Sequence, residues 1–186
     1  MTSPWSHPIT RACAMQAAGV AGAVPEIATR RLRLRAPRLD DFATYAEIVG
    51  SDRGRHIGGP LPRAEAWDDF CRMTATWLLR GHGLWSVELD ADLLGFVLIG
   101  MEPGDPDPEL GFLFTAEAEG QGYAQEAAEA ARHHAFTALG LPRLVSCIAP
   151  DNFRSRRLAE RLGARLDPGT LDGVLVYRHP VPEVSV

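Results

Sequence analysis

Two glycines in the second half of the chain lie where a main-chain phosphate site can form. Gly120 and Gly122 separate a short apolar run, 110–115, from an alanine-rich segment that begins at Tyr123. The first turn of a helix has N–H groups without intrahelical partners, and the helix macrodipole adds partial positive charge there. Glycine also lets the backbone approach a ligand closely. The pattern predicts a cradle for phosphate oxygens, although isolated Gly-x-Gly pairs also occur in ordinary turns.

The segments on either side of these glycines predict a strand and a long helix. The run from Leu110 to Thr115 is bounded by turn residues and is too short for a helix. After Tyr123, small and apolar residues recur at helical spacing, at positions 124, 127, 128, 131, 135 and 138. Gly140 and Pro142 then end the helix, because proline cannot continue its hydrogen bonds.

Two familiar phosphate motifs are absent from the sequence. The chain contains no lysine, which excludes a P-loop of the G-x-x-x-x-G-K-[ST] type. A dinucleotide fingerprint needs three spaced glycines after the first strand of a parallel sheet, whereas here two glycines occur late in the chain.

The sequence around the glycines resembles the acetyl-CoA motif of the GNAT N-acyltransferases. Their Gln/Arg-x-x-Gly-x-Gly/Ala pattern falls on residues 119–124, after a strand that carries Glu109-Leu110-Gly111-Phe112. Gly122 and Ala124 match the fourth and sixth positions. The first position holds Glu119, an acid where the family has a donor. Because backbone N–H groups supply most of the cradle, we expect weakened or shifted phosphate contacts rather than loss of the site.

A second motif half follows about 30 residues later. Asn152, Ser155 and the run Leu162-Gly163-Ala164 match the family pattern of a strand that leads into Asn-x-x-Ser and a helix that ends in Leu-Gly-Ala. Asp151 or Asn152 is expected to cap that helix. The resemblance covers roughly residues 29–180. Within the superfamily it is strongest to the branch that includes the ribosomal-protein N-terminal (Rim-type) acetyltransferases.

The resemblance implies an α+β protein with the acyl-CoA N-acyltransferase fold. We expect a central, mostly antiparallel mixed sheet, flanked by helices and splayed between its fourth and fifth strands. Residues 1–28 are expected to form a flexible N-terminal extension before a single domain, 29–186. Strands are predicted at 31–35, with Leu32 and Leu34 inward and the arginines on a solvated face, and at 84–89, 93–100, 109–115, 144–148 and 175–177. Helices are predicted to begin near Asp41 and Pro62, the second with Trp67, Phe70, Cys71, Thr74, Trp77 and Leu78 buried.

The same resemblance assigns roles to individual residues. Glu109 is implied as the general base, acting through water, and Ser155 as the donor to the leaving thiolate. Backbone groups near Phe114 and Thr115 are implied to pair with the pantetheine arm. The phosphate cradle, residues 120–124, is implied to hold the pyrophosphate through Gly120, Gln121, Gly122, Tyr123 and Ala124.

Further contacts are implied at the second motif half and in one loop. Asn152 is expected to contact pantetheine. Arg157 is expected to contact the adenosine 3′-phosphate, and Arg154 and Arg156 are the alternatives. Arg55, His56 and Trp67 are candidates for contact with the acceptor. His133 and His134 are expected to pack or to face water.

Composition restricts the class of partner. The net charge is −5, which argues against binding to nucleic acid through phosphates. No stretch of 18 apolar residues occurs, so we expect no membrane span. Cys13, Cys71 and Cys147 are odd in number and widely spaced, which indicates a reducing, cytoplasmic setting and no metal site. Cys71 and Cys147 are expected in the core.

The resemblance implies an enzyme that uses acetyl-CoA as co-substrate and acetylates a primary amine, either a protein N-terminus or a small molecule. The acidic balance suits a cationic acceptor, and a homodimer is possible. The alternatives are an acyl-CoA-binding regulatory module that has lost turnover, supported by Glu119, and a nucleotide-binding fold that prefers NAD or ATP.

Overall fold

One mixed sheet organises the chain. The computed structural model describes residues 3–171 and 173–182, and within them eight strands form the sheet in the order β1-β2-β3-β4-β5-β6-β8-β7. The strands are β1 (Ile27–Ala28), β2 (Arg33–Arg35), β3 (Leu84–Leu89), β4 (Asp92–Gly100), β5 (Glu109–Phe114), β6 (Val145–Ile148), β7 (Arg165–Leu171) and β8 (Val174–Arg178). All neighbouring pairs are antiparallel except β5 and β6.

Helices cover both faces of the sheet. They are α1 (Arg11–Ala21), α2 (Phe42–Val49), α3 (Arg63–Arg80), α4 (Tyr123–Thr137) and α5 (Phe153–Arg161), with 3-10 turns at Leu39–Asp41 and Asp52–His56. Alternate residues of the central strands point to opposite faces. Trp85 and Val97 pack toward the alanine stripe of α4, whereas Leu84 and Phe96 pack toward α2 and α3. No helix among the described residues is both long and apolar enough to cross a membrane.

The sheet divides at β5 and β6. These parallel strands pair at a single position, Glu109 with Val145, and then diverge. The prediction of a sheet splayed between the strands 109–115 and 144–149 is confirmed. The strand β7 and the helix α1 were not predicted. Both have weak apolar periodicity, and no residue of α1 is buried.

The N-terminal segment contacts the domain through side chains and through one strand. Trp5 packs against Phe42 and Trp67, with ring centroids 5.3 and 6.0 Å apart. The strand β1, which our division assigned to the extension, pairs with β2 at the sheet edge. The boundary near residue 28 and the flexibility of the extension stay predictions.

The predicted buried stripe of α3 was too wide. Ala66 and Phe70 are buried, but Cys71 is exposed and Leu78 is 73% exposed. Cys71 follows Phe70 by one residue, and Leu78 follows Trp77 by one residue. One residue turns a helix by about 100°, which carries both side chains off the contact face.

The solvated arginine face predicted for β2 is wrong at Arg35. Its guanidinium is buried between two carboxylates, with Nη1 2.7 Å from Asp41 Oδ2 and Nε 2.6 Å from Glu88 Oε2. Ser86 Oγ also donates to Asp41 Oδ2, at 2.7 Å. The paired charges allow this arginine to be buried next to strand β3.

Candidate active site

A cavity of about 960 Å³ opens where the sheet splays. Four segments line it: the loop after α2, the end of β5, the loop before α4 and the beginning of α5. The volume is within the range of small-molecule and cofactor sites in proteins. Both motif halves singled out from the sequence therefore face one space.

The glycine turn before α4 has the backbone geometry that the predicted phosphate cradle, residues 120–124, requires. Gly120 and Gly122 have φ angles of +75° and +78°, and Gly122 is the N-cap of α4. The first intrahelical bond of α4 runs from Glu126 N to Gly122 O, at 3.1 Å. The N–H groups of residues 123–125 therefore precede the helical ladder, at the positive end of the helix dipole.

A clamp from the turn before β2 holds this loop. Arg31 Nη1 donates to Gln121 O at 3.1 Å, Arg31 Nε lies 2.7 Å from Glu126 Oε2, and the guanidinium carbon is 4.6 Å from the Tyr123 ring centroid. Thr29 Oγ1 also donates to Glu126, at 2.6 Å. The sequence analysis missed this clamp, since a clamp across 95 residues leaves no local pattern.

Glu119, the departure from the family pattern, lies in the cavity wall between two arginines. Arg53 Nη1 is 2.5 Å from its Oε1, and Arg154 contacts the same oxygen. Arg53 Nε also donates to Phe114 O, at 2.9 Å. The extra acid is thus paired with cations from two other segments, a role that its sequence position did not indicate.

The point where β5 and β6 diverge, here called the apex, is formed by Glu109, Leu110, Ser146 and Cys147. Glu109 Oε1 accepts the backbone N–H of Cys147 at 2.9 Å. Burial, which outweighs this hydrogen bond, raises the pKa of Glu109 to about 7, and Asp105 adds to the increase. Burial and the neighbouring carboxylates raise the pKa of the Cys147 thiol to about 12.

The apex also brings three possible metal ligands together. One ligand atom each of Asp105, Glu109 and Cys147 lies within 4.8 Å of the others. Metal binding requires the thiolate of cysteine, and without a metal the raised pKa of Cys147 disfavours that form. The absence of a metal stays a prediction. Cys147 is half-buried at this site rather than in the core.

Most of the predicted site residues line the cavity. These are Phe114, Gly120, Gly122, Tyr123, Ala124, Asn152, Ser155 and Arg157. Among the described residues that define the lining, Glu109, Thr115 and Gln121 are not included. The N–H of Thr115, which we expected to be free for pantetheine, donates to Leu94 O at 3.0 Å because β4 continues alongside it.

The beginning of α5 places its polar groups in different directions. Asn152 Oδ1 caps the helix by accepting from Ser155 N at 3.2 Å, as predicted. Arg156 points away, toward Tyr177 and Pro150 O, whereas Arg157 lines the cavity. Arg161, which the sequence analysis missed, also lines the cavity and donates to Gln125 Oε1 at 3.0 Å.

Two of the three acceptor-contact candidates face the cavity. Arg55 Nε donates to His56 Nε2 at 2.9 Å, and His56 Nδ1 lies 3.5 Å from Asp151 Oδ1. Trp67 instead belongs to the aromatic cluster between α2 and α3, where its ring centroid is 5.0 Å from that of Phe42. His134 packs edge-on against Trp85, at 5.7 Å, in agreement with its predicted packing role.

A splayed mixed sheet with a glycine turn and a helix N-terminus at the opening defines the acyl-CoA N-acyltransferase class. The chain belongs to the GNAT acetyltransferase family, whose domain pattern matches residues 31–165. The predicted family, fold and enzyme class are confirmed.

Individual relatives agree with this assignment. An acetyltransferase from Agrobacterium tumefaciens (strain C58) is 39% identical, with a TM-score of 0.80 over 84% of this chain and 95% of that one. The uncharacterized N-acetyltransferase YnaD of Bacillus subtilis (strain 168) is 30% identical over 73 residues, which cover 39% of this chain and 43% of YnaD. RimL, a ribosomal L7/L12 α-N-protein acetyltransferase solved with coenzyme A, is 17% identical, with a TM-score of 0.70 over 84% of this chain and 98% of RimL. The likeness to the Rim branch is therefore one of fold.

Proposed function

We propose that this protein transfers an acetyl group from acetyl-CoA to a primary amine by direct attack, with Glu109 as the general base. The observation that supports this most is the Glu109 carboxyl at the apex, with a pKa raised to about 7. A base is most effective when its pKa lies near the working pH. An unperturbed glutamate titrates near 4.3 and would be a weak base for an ammonium group.

The cavity fits the donor that the family implies. Acetyl-CoA supplies a thioester and an anionic pyrophosphate. Main-chain N–H groups at the beginning of α4 suit the pyrophosphate, because both the unpaired donors and the helix dipole favour an anion there. Asn152 and Arg157, at the opposite wall, are proposed to hold pantetheine and the 3′-phosphate respectively.

Glu109 prepares the acceptor for attack. The amine must lose a proton before its lone pair can attack the thioester carbonyl. Since Glu109 lies outside the cavity lining, we assign the proton transfer to an intervening water. Deprotonated Glu109 is required, so activity rises as the pH rises through about 7.

Ser155 serves the leaving group. It lines the cavity on the first turn of α5, and its N–H is already satisfied by the Asn152 cap. Its hydroxyl is proposed to donate a hydrogen bond that stabilises the departing thiolate, which then takes up the proton removed from the amine. A main-chain N–H of β5 is proposed to hold the developing oxyanion.

The acceptor class is proposed as a peptide N-terminus or a small primary amine. Among proteins of this fold, RimL is named a ribosomal L7/L12 α-N-protein acetyltransferase and MccE a microcin C7 self-immunity acetyltransferase. The net charge of −5 favours a cationic acceptor over nucleic acid. We propose a cytoplasmic location and a possible homodimer on the basis of the sequence alone.

One observation favours a second function, an acyl-CoA-binding regulatory module without turnover. Glu119 places a carboxylate in the wall of the phosphate site. Its pairing with Arg53 and Arg154 weakens this argument, since the added negative charge is balanced. Glu109→Gln separates the two functions, because only an enzyme has turnover to lose while both bind CoA.

A thermal-shift series tests the proposed function first. A ligand that binds only the native state raises the unfolding midpoint, so acetyl-CoA, CoA, NAD and ATP are compared at equal concentrations. A shift with acetyl-CoA and CoA alone supports the proposal and leads to thiol-release assays with a panel of peptides and small amines. A shift with NAD or ATP alone contradicts it.

A further inference from the structure

At the apex, one backbone hydrogen bond of a regular parallel pairing between β5 and β6 is replaced by hydrogen bonds to side chains. In a regular parallel pair with Glu109 opposite Val145, Val145 N donates to Pro108 O, and Cys147 N would next donate to Leu110 O. The first bond is present, at 3.0 Å. At the second step, Cys147 N donates instead to Glu109 Oε1, at 2.9 Å. The strands therefore separate where one ladder bond is replaced.

The carbonyl that loses this ladder bond is satisfied by a side chain. Ser146 Oγ donates to Leu110 O at 2.7 Å, in a site where Ser146 is only 2% exposed. Two side chains thus take the two ends of one missing backbone bond, with Glu109 at the N–H and Ser146 at the C=O. A buried backbone group left without a hydrogen-bond partner is unfavourable, so both substitutes are needed to keep the strands apart.

His179 fixes the direction of the serine hydroxyl. Its Nε2 lies 3.0 Å from Ser146 Oγ. The single hydroxyl proton goes to Leu110 O, because a carbonyl can only accept, so Nε2 must carry the proton that it donates to Ser146. Burial lowers the pKa of His179 to about 4, which keeps the ring neutral at physiological pH, and the hydrogen bond to Ser146 selects the tautomer.

We propose that Ser146, oriented by His179, is a positioning residue for acetyl transfer: its bond to Leu110 O keeps the ladder open, so that Cys147 N–H stays available to the Glu109 carboxylate. The catalytic part of this inference rests on the proposed function, whereas the hydrogen-bond exchange does not. Without the Ser146 hydroxyl, Leu110 O recovers its ladder donor, Cys147 N. Glu109 then loses the hydrogen bond that stabilises its charged form, and its pKa rises further.

The test uses four variants of the full chain. Ser146→Ala removes the hydroxyl, and Ser146→Cys fills the same space with a weak donor, so it carries the test if the alanine variant does not fold. Ser146→Thr retains the hydroxyl. The control is Ser86→Ala, which removes another buried serine hydroxyl that donates at 2.7 Å, to Asp41 on the other side of the sheet.

The direct readout is the Cys147 backbone amide, followed by ¹⁵N NMR as the pH is varied. In the wild-type protein the amide should titrate with a midpoint near 7, because its acceptor is Glu109. In Ser146→Ala and Ser146→Cys that titration should be lost or reduced by more than half, and Ser146→Thr should restore it. Asp105 and Glu102 also face Glu109, but they are unchanged in every variant.

Enzyme kinetics supply the second readout. Ser146→Ala should lower kcat about tenfold and leave the KM for acetyl-CoA nearly unchanged, because the base is displaced and the cradle is not. The acid limb of the pH profile should move to higher pH, because the pKa of Glu109 rises. Ser86→Ala should leave the limb in place.

Unchanged titration of the Cys147 amide in both Ser146→Ala and Ser146→Cys would overturn the inference. Equal loss of the titration in Ser86→Ala would also overturn it, since it would reflect general destabilisation. If the wild-type protein acetylates no amine but the NMR result holds, the proposed function fails while the hydrogen-bond exchange stands.

Discussion

The phosphate cradle and the apex lie at two parts of one site and are built in opposite ways. The cradle, residues 120–124, consists of main-chain groups on a surface loop that Arg31 holds from outside. The apex consists of side chains, among which Leu110 and Ser146 are buried and Glu109 has a raised pKa. The proposed binding of CoA therefore rests on backbone geometry, whereas the proposed chemistry rests on a few side chains. Substitutions should be tolerated at the cradle and damaging at the apex.

Glu109→Gln should have the largest effect on turnover. The amide has the shape of the carboxyl but no basicity, so kcat should fall by about 10²–10⁴. Affinity for CoA, measured by calorimetry, should change less than about threefold, because the cradle is intact. A variant that keeps more than a tenth of wild-type kcat would show that the apex does not supply the base.

The same substitution should change stability with a defined dependence on pH. Folding raises the pKa of Glu109 from 4.5 to about 7, so the protonated form stabilises the fold at low pH and this contribution is lost as the pH rises through about 7. Glutamine does not ionise, so the stability of Glu109→Gln should lack this pH dependence. At pH 8 it should be more stable than wild type by up to roughly 3 kcal/mol, and near pH 4 the two should be equal. Urea unfolding of both proteins at pH 8 and pH 4 measures the difference in the free energy of unfolding. A difference of the same size at the two pH values would contradict the prediction.

Gly122→Ala probes the cradle, with a smaller effect. The φ of +78° at Gly122 is unfavourable for any residue with a Cβ, by about 1–2 kcal/mol. The loop should shift to relieve this strain, and CoA should bind up to about tenfold more weakly with kcat at saturation unchanged. Gly140→Ala, at a φ of +63° after the same helix, carries a similar strain away from the cavity. Equal loss of CoA affinity in both variants would argue against the cradle.

Glu119→Gln should have the smallest effect, and it should strengthen the binding of CoA rather than weaken it. The glutamine frees Arg53 and Arg154 from a carboxylate that competes with the ligand's phosphates. Because exposed pairs contribute at most about 1 kcal/mol, CoA should bind up to about fivefold more tightly, and less so at high salt. Glu117→Gln, in the same loop, is the matched control. Weaker binding in Glu119→Gln alone would show that this acid instead supports the site.

The cradle could be predicted from the sequence because its features are local. A strand, two glycines and a helical stripe follow one another within a single stretch, and glycine is the residue type that readily adopts the positive φ angles found at 120 and 122. The Asn152 cap was predictable for the same reason, since its partner Ser155 is three residues away.

The apex could be predicted only in part. The resemblance pointed to Glu109, but Ser146 and His179 lie 36 and 33 residues from their partners at Leu110 and Ser146, and only the folded sheet brings them together. Arg35 was misplaced for a similar reason. An alternating pattern indicates which residues share a face, but not that Asp41 and Glu88 cover that face and bury the charge.

The most direct test of the account is the ionisation of Glu109 itself. Protein labelled with ¹³C at the glutamate side-chain carboxyls is titrated by NMR, with Glu109→Gln to assign the resonance. The account predicts that the Glu109 carboxyl titrates near pH 7, well above the exposed glutamates. A midpoint between about 4 and 5 would contradict it, because the apex would then carry an ordinary carboxylate with no special capacity as a base.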